Sequence, residues 1–295
     1  MDTSASPKIV VVTGATSGIG LETAKHLVSQ GIDVIGIGRS PERCKQAAQT
    51  LSALRPGAFV RFCLADLSLQ SQVRAAAAEI RALLAAEGKD ALDGLVNNAG
   101  AFTYYLTLTI EGFEMQWAVN HLAPFLLTHE LLPLLQAAPC ARVVTVSSAS
   151  HYNTRLNWND IQLRRRYNGL QAYQQTKLCN VLFSAELNRR LGEASTVRAF
   201  AADPGLVQTD IGLKGNPGLV RWFWSLRSSG GIPAEESARG VAYLAAEPSI
   251  QDSTEVYWKH SQPKAPSKYS LDPENSRRLW ELSAQMCGLP GEPGL

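Results

Sequence analysis

A chain of 295 residues, 45% hydrophobic and 18% charged, carries enough apolar material for a large core, which argues against a disordered protein. Its formal charge of +2 is near balance and its longest basic run, Arg164-Arg165-Arg166, reads as a solvated turn, so no nucleic-acid footprint is expected. The five cysteines, Cys44, Cys63, Cys140, Cys179 and Cys287, lack paired spacing, which argues against a disulfide framework or a zinc site. An odd cysteine count behind the short polar stretch Met1 to Lys8 fits a reducing compartment. No apolar run reaches the roughly 18 residues needed to span a bilayer. A soluble, cytoplasmic protein of one domain is expected, with no metal.

In chain order, Ile9-Val10-Val11-Val12 is a β-branched run that reads as a buried strand. It runs straight into Thr13-Gly14-Ala15-Thr16-Ser17-Gly18-Ile19-Gly20 and then into the helical pattern Leu21 to Leu27. Glycines in such a turn allow positive φ and close approach of backbone to a bound group, while the following helix offers free N–H groups to an anion. The spacing Gly14, Gly18, Gly20 is G-x-x-x-G-x-G, which differs from the G-x-G-x-x-G dinucleotide fingerprint.

The second and third strands are expected at 32–38 and 58–64 with a helix between them, followed by an alanine-rich helix over 70–86. A fourth strand is expected at 92–97, and a long helix from about 111 to 135 that Pro124 and Pro133 bend or end. The fifth strand is 141–146; a helix carrying Tyr173 and Lys177 continues to about 191, and a sixth strand follows at 197–201. A further helix over 234–246 and a short strand at 254–258 complete the pattern, leaving 205–233 and the tail after Pro263 as the mobile parts. Alternation of strand and helix predicts a parallel sheet with helices on both faces.

Tyr173 and Lys177 are four residues apart, so on a helix both side chains share one face. An ammonium beside a phenol favours phenolate and lowers a pKa that otherwise sits at roughly 10, which makes the pair a candidate for proton exchange near neutrality. Alone, Tyr-x-x-x-Lys is common by chance.

It does not stand alone. Ala65-Asp66-Leu67 follows the third strand, Asn97-Asn98-Ala99-Gly100 the fourth, Val119-Asn120-His121 lies in the long helix, Val146-Ser147-Ser148 ends the fifth strand, and Pro204-Gly205-Leu206-Val207-Gln208-Thr209 follows the Tyr-Lys helix. With these motifs in this order the chain resembles the short-chain dehydrogenase/reductase family over nearly its whole length. The resemblance implies a doubly wound, Rossmann-type α/β domain over 1–295. Its parallel sheet would have about seven strands, with a substrate lid at 205–233 and a C-terminal extension at 263–295. The 151–170 insertion, the pattern Ala172 to Phe183 and the tail Arg278-Leu279-Trp280-Glu281-Leu282-Ser283 look like the retinol dehydrogenase and WW-domain-containing oxidoreductase branch. The light-dependent protochlorophyllide reductases are a weaker match, sharing Lys177-x-Cys179-Asn180. Two departures stand out. Many relatives carry His where this chain has Asp203, and the membrane-bound retinol enzymes have an N-terminal anchor not found here.

A ligand in such a fold lies beyond the carboxyl ends of the strands. An acid at the end of the second strand favours NAD, whereas this chain has Gly38-Arg39-Ser40, which fits a 2′-phosphate; NADP(H) is therefore the expected cofactor. By resemblance, Gly14, Ser17, Gly18, Ile19 and Gly20 form its phosphate turn, Asp66 and Leu67 flank the adenine, and Asn97, Ala99 and Gly100 line its path. Tyr173, Lys177, Pro204, Gly205, Val207 and Thr209 would surround the nicotinamide half. Hydride transfer to a carbonyl builds charge on oxygen and calls for a proton and donors. The resemblance gives Tyr173 as acid/base, Lys177 as the group that tunes it, Ser148 as donor to the substrate oxygen with Ser147 as fallback, and Asn120 as a link from Lys177 to a water chain.

The aromatic cluster Trp222-Phe223-Trp224 suggests a lipophilic or aromatic aldehyde, ketone or alcohol as substrate, with lid packing or membrane contact as other readings of the same residues. A homodimer or homotetramer is implied by resemblance, unless the C-terminal extension blocks it. The rival reading is an NADP(H)-binding sensor or interaction protein with vestigial catalysis.

Overall fold

The computed structural model describes residues 7–206 and 232–290. Val207, Thr209, Trp222 to Trp224 and most of the expected lid lie outside the described residues.

Eight strands form one sheet: β1 (Ile9–Thr13), β2 (Asp33–Gly38), β3 (Val60–Leu64), β4 (Gly94–Asn97), β5 (Ala141–Val146), β6 (Val197–Asp203), β7 (Tyr257–Lys259) and β8 (Gln262–Pro263). Their order is β3-β2-β1-β4-β5-β6-β7-β8, parallel throughout except for the β7–β8 hairpin. The expectation of about seven strands therefore falls one short. The extra hairpin turns through His260 and Ser261 at φ 50° and 59°, and without glycine there the turn carries no strong sequence signal.

β1, β2, β4 and β5 are buried along their whole length, as expected of parallel strands covered on both faces. Alternation assigns Ile9 and Val11 to one layer and Val10 and Val12 to the other. Each such valine stabilises the fold by about 1.5–3 kcal/mol relative to leaving it in water. One face is covered by α1 (Gly18–Ser29), α2 (Pro41–Leu54) and, against α1, by α7 (Ala234–Ala246). On the other face lie α3 (Gln70–Ala86), α5 (Ala123–Ala137) and α6 (Gly169–Leu191).

The expected long helix over 111–135 is interrupted. A single turn, α4 (Met115–Trp117), passes through a π turn at Ala118–Leu122 before α5 begins with Pro124 in its first turn. Proline lacks the N–H that continuous helix needs, and at that position it costs little because the donor is free anyway. Pro133 lies inside α5 and does not end it.

As far as Pro290, the tail after Pro263 is ordered rather than mobile. It forms a 3₁₀ turn at Lys268–Leu271 and α8 (Pro273–Met286), capped by Asp272, which accepts the Glu274 N–H at 3.0 Å. Trp280 is buried between Phe125 (ring centroids 4.9 Å) and Phe183 (5.9 Å), with the Arg190 guanidinium 4.7 Å from its ring. His121 Nε2 meets Ser283 Oγ at 2.8 Å, and because that hydroxyl donates to the Leu279 carbonyl the imidazole is the donor. Thus α8 covers the outer side of α5 and α6.

Candidate active site

Sheet order reverses between β1 and β4, and the residues ending these two strands lie where the cofactor is expected. Thr13 Oγ1 accepts the backbone N–H groups of Asn98 and Ala99, each at 2.9 Å, while Asn98 Nδ2 donates to Thr13 O at 2.9 Å. These bonds lock the β4 loop onto the glycine turn. Gly14 (φ 66°) and Gly18 (φ 56°) adopt backbone that L side chains resist. A Cβ on Gly20 would stand 2.4 Å from both Gly14 O and Asn98 Nδ2. Ser17 precedes α1 with no side-chain cap bond, and Ser17 and Gly18 are exposed where the first amides of the helix emerge. This is a backbone cradle that fits an anion at a helix start.

Arg39, just beyond β2, is exposed and enters no hydrogen bond or ion pair among the described residues, and Ser40 caps α2 by accepting the Arg43 N–H at 3.4 Å. Asp66 is half-buried, its Oδ1 accepting the Ser68 N–H at 2.9 Å. Leu67, Asn97 and Ala99 line a small cavity with Thr13, and Gly100 is partly exposed beside it. Asn97 Nδ2 donates to Thr128 Oγ1 at 3.1 Å; its Oδ1 is buried without a partner among the described residues, which fits a donor arriving from a ligand. Pro204 and Gly205 (φ 78°) follow β6.

On the substrate side, α6 is tied to the end of β5. Lys177 Nζ donates to Val146 O at 2.9 Å, and Asn180 Nδ2 donates to the same carbonyl at 3.0 Å. Ser147 is buried, its hydroxyl donating to Lys177 O at 2.7 Å, so its proton serves the scaffold. The Ser148 hydroxyl instead accepts the Ser150 N–H at 3.2 Å and is partly exposed.

Lys177 Nζ lies 5.4 Å from the centroid of the Tyr173 ring, and Phe102 packs edge-on to that ring at 6.0 Å. Tyr173 keeps part of its surface open to solvent, yet enough protein surrounds it that burial raises its hydroxyl to about 12, with the Asp203 carboxylate adding to the rise. Burial also brings the Lys177 ammonium down to about 8. The expected lowering of Tyr173 by Lys177 is therefore reversed in the free protein, because desolvation of the phenolate and a nearby negative charge outweigh the ammonium.

Asn120 sits in the π turn and is buried. Its Nδ2 donates to Ala101 O (2.9 Å) and Thr176 Oγ1 (3.1 Å), and its Oδ1 accepts the Ala101 N–H (2.7 Å). Its side chain makes no direct bond to Lys177 among the described residues and braces α6 through Thr176.

Residues to which the sequence reading gave no site role complete the surround. His151, in the 3₁₀ turn Ala149–Asn153, is fully buried, with Nδ1 2.8 Å from Ser148 O and Nε2 accepting the Ser267 N–H at 3.1 Å. Because Nε2 accepts, Nδ1 carries the proton and donates. Asp203 is 3% exposed; its Oδ2 accepts the Tyr257 hydroxyl at 2.7 Å and its Oδ1 the Gly205 N–H at 3.0 Å. The insertion at 151–170 docks by Tyr167, whose hydroxyl donates to Glu114 Oε1 at 2.8 Å. Among the described residues no group of three or more His, Cys, Asp or Glu could hold a metal ion.

Residues 8–218 match the family model for short chain dehydrogenase. The chain belongs to the short-chain dehydrogenase family. This dehydrogenase is 36% identical to retinol dehydrogenase 13 of Homo sapiens over 291 residues, covering 96% of this chain and 85% of the relative. To retinol dehydrogenase 11 of Homo sapiens it is 35% identical over 283 residues, with 96% and 86% covered. A solved structure of an uncharacterized protein from Mycobacterium Paratuberculosis superposes with a TM-score of 0.74 at 34% identity, covering 97% of this chain and 95% of that one. A blue fluorescent protein from a metagenomic library, solved in complex with NADPH, shares the fold at a TM-score of 0.65 and 24% identity, with 85% and 95% covered. The dehydrogenase thus lies on the retinol dehydrogenase branch: an oxidoreductase of alcohol and carbonyl groups in a family that binds nicotinamide cofactors and acts on small molecules. Among its described residues no helix is long and apolar enough to cross a membrane.

Proposed function

We propose that this dehydrogenase uses NADPH to reduce a lipophilic or aromatic aldehyde or ketone to the alcohol, with Tyr173 as the proton donor. The observation that carries the reading is the buried linkage of Lys177, Ser147 and Val146, which sets the Tyr173 face of α6 against the end of β5, immediately before Ser148. Tyr173 is held as a phenol at neutral pH, the form that gives a proton. With the Ser150 N–H donating to it, the Ser148 oxygen keeps its own hydrogen for a substrate oxygen that gains charge.

When bound, the nicotinamide supplies the hydride. Gly14, Ser17, Gly18, Ile19 and Gly20 would hold the phosphates, and Arg39 with Ser40 a 2′-phosphate. Asp66 and Leu67 would hold the adenine, with Asn97, Ala99 and Gly100 along the path. Tyr173, Lys177, Pro204, Gly205, Val207 and Thr209 would meet the nicotinamide half. The two retinol dehydrogenases named above favour an apolar substrate by analogy. Localisation in the cytoplasm and assembly into dimers or tetramers belong to the same proposal and are read by fractionation and by mass in solution.

The test is oxidation of NADPH followed at 340 nm with retinal, decanal, benzaldehyde and simple ketones, for wild type and Tyr173→Phe. The variant should lose turnover by about a hundredfold to ten-thousandfold and still quench on NADPH addition. Near-normal turnover in the variant would sink the assignment of Tyr173. Silence from NADPH-binding wild type would favour the sensor reading.

A further inference from the structure

The loop after β4 carries apolar side chains at the surface. Tyr104, Tyr105, Leu106, Leu108 and Ile110 are all exposed, Tyr105 at 63% and Ile110 at 91%. Leu108 forms an isolated antiparallel bridge with Glu114, and strand-like alternation sets Leu106, Leu108 and Ile110 on one side of the chain. Ile110 stands at the head of a tightly bonded turn. Gly112 is at φ 83°, its N–H donates to Thr109 O at 2.9 Å, the Thr109 N–H donates to Phe113 O at 2.7 Å, and the Met115 N–H donates to Thr107 O at 2.9 Å. Turn tips ordinarily carry Gly, Pro, Asn, Asp or Ser, which favour the bend. An isoleucine at such a tip adds nothing to the core, and a continuous run of exposed apolar side chains marks a contact surface.

Beside this tip stands the run Arg164-Arg165-Arg166, all three exposed. The Arg164 guanidinium donates to Gly112 O, and Gln162 Oε1 accepts the Glu114 N–H at 2.7 Å, so the run is fastened to the turn that bears Ile110. Leu163, immediately before it, is buried at φ 52°, a left-handed conformation that leucine rarely adopts. The Asp160 carboxylate accepts the N–H groups of Arg164 and Arg165, each at 2.9 Å, and holds this bend. Glu111 is likewise engaged, accepting the N–H groups of Gln70 at 2.7 Å and Ser71 at 3.2 Å at the start of α3. Arg165 and Arg166 enter no ion pair among the described residues. The face therefore sets free positive charge beside protruding apolar side chains.

We propose that the Ile110 turn and the Arg164-Arg165-Arg166 run form a docking face for an anionic lipid bilayer. Apolar side chains enter the boundary of the acyl region while guanidiniums pair with anionic headgroups, two signals that together hold a protein at a membrane surface without a spanning segment. A side chain that protrudes as far as Ile110 fits a deformable medium better than a flat protein surface. The face also adjoins the site. Phe102, which packs edge-on to Tyr173 at 6.0 Å, begins the loop; the Tyr104 backbone packs on Gly169, where a Cβ would stand 3.0 Å from the Tyr104 Cα. Exposed Leu170 precedes Tyr173 by three residues, one turn along the same face of α6. A carbonyl compound dissolved in the bilayer would meet the protein beside its site; that consequence rests on the function proposed above, whereas docking does not.

Sedimentation of the full chain with vesicles tests this, comparing phosphatidylcholine alone with phosphatidylcholine carrying about one-third phosphatidylserine. Wild type should pellet with the phosphatidylserine vesicles, and added salt should release it. Ile110→Asp should weaken binding by about tenfold to a hundredfold, and the pair Arg165→Glu and Arg166→Glu by at least about fivefold for each arginine. Melting temperatures should stay at the wild-type value, because all three side chains are exposed. Leu106→Ser, a second apolar variant, should weaken binding in the same direction. Wild type that stays in the supernatant overturns the proposal, as does binding that survives these substitutions. An oligomer that Ile110→Asp dissociates with vesicle binding intact makes the face a subunit contact and equally overturns it. Vesicle binding lost in the variants, with no turnover by wild type, would remove the assigned activity and leave the docking face standing.

Discussion

The two halves of the site are built by different means. On the cofactor side, the turn between β1 and α1 is shaped by its own backbone: Gly14 and Gly18 at positive φ, Gly20 pressed against Gly14 O, and one threonine joining it to the loop after β4. On the substrate side, shape comes from side chains far apart in sequence, with Lys177 bonded to Val146, His151 to Ser267 and Tyr257 to Asp203. A backbone cradle tolerates little change because no rotamer can relieve a clash with a carbonyl, whereas a network of side chains can be retuned one charge at a time. The contrast explains how one fold keeps its cofactor while its chemistry varies.

The sharpest way to separate the halves is Lys177→Met. Turnover should fall by about a hundredfold to ten-thousandfold, while stability at neutral pH should rise. The sign follows from the lowering of Lys177 from 10.5 to about 8: between those values the unfolded chain binds a proton that the folded one does not, so the buried ammonium costs stability below about 8 and this cost fades as pH rises. Val146 O keeps its bond from Asn180 in the variant, which removes the usual orphaned acceptor. Thermal melts at pH 7 and pH 10 check it: a variant no more stable than wild type at pH 7 contradicts the assigned burial cost.

Gly20→Ala should do the reverse, weakening NADPH binding by at least about tenfold and destabilising the fold by about 1–3 kcal/mol through overpacking. A fluorescence titration and a urea melt read the two effects, and unchanged binding would show that the cradle does not hold the cofactor.

The smallest effect is expected from Arg39→Asp. With the guanidinium gone from an exposed position, the fold should be unaffected, and the preference for NADPH over NADH should fall by about tenfold to a hundredfold, the loss of one charge-assisted contact. Equal affinity for NADPH before and after the exchange would mean that Arg39 faces only water.

Much of the fold was legible in the chain. The expected bounds of α3, α7 and β5 and the expected end of α6 match those observed, since each is a long periodic or β-branched run whose neighbours punctuate it. The β7–β8 hairpin was not legible, because His260 and Ser261 turn without glycine. Nor was α8 read as ordered: nine of its fourteen residues are polar or proline, and the apolar ones it buries are led by Trp280, seated between Phe125 and Phe183. The π turn at Asn120 likewise has no local signature beyond the proline that follows.

By itself the sequence determined the parallel α/β architecture, the glycine cradle, the Tyr173 and Lys177 pair on one helix face and the family they indicate, because each is written in short local patterns or in their order along the chain. Only the tertiary structure decided that the Ser147 hydroxyl donates to the scaffold while that of Ser148 accepts from Ser150, that the tail carries a docked helix, and that burial, with Asp203 adding to it, raises Tyr173. Burial and charge at a point are sums over neighbours from the whole chain, and no local pattern encodes such a sum.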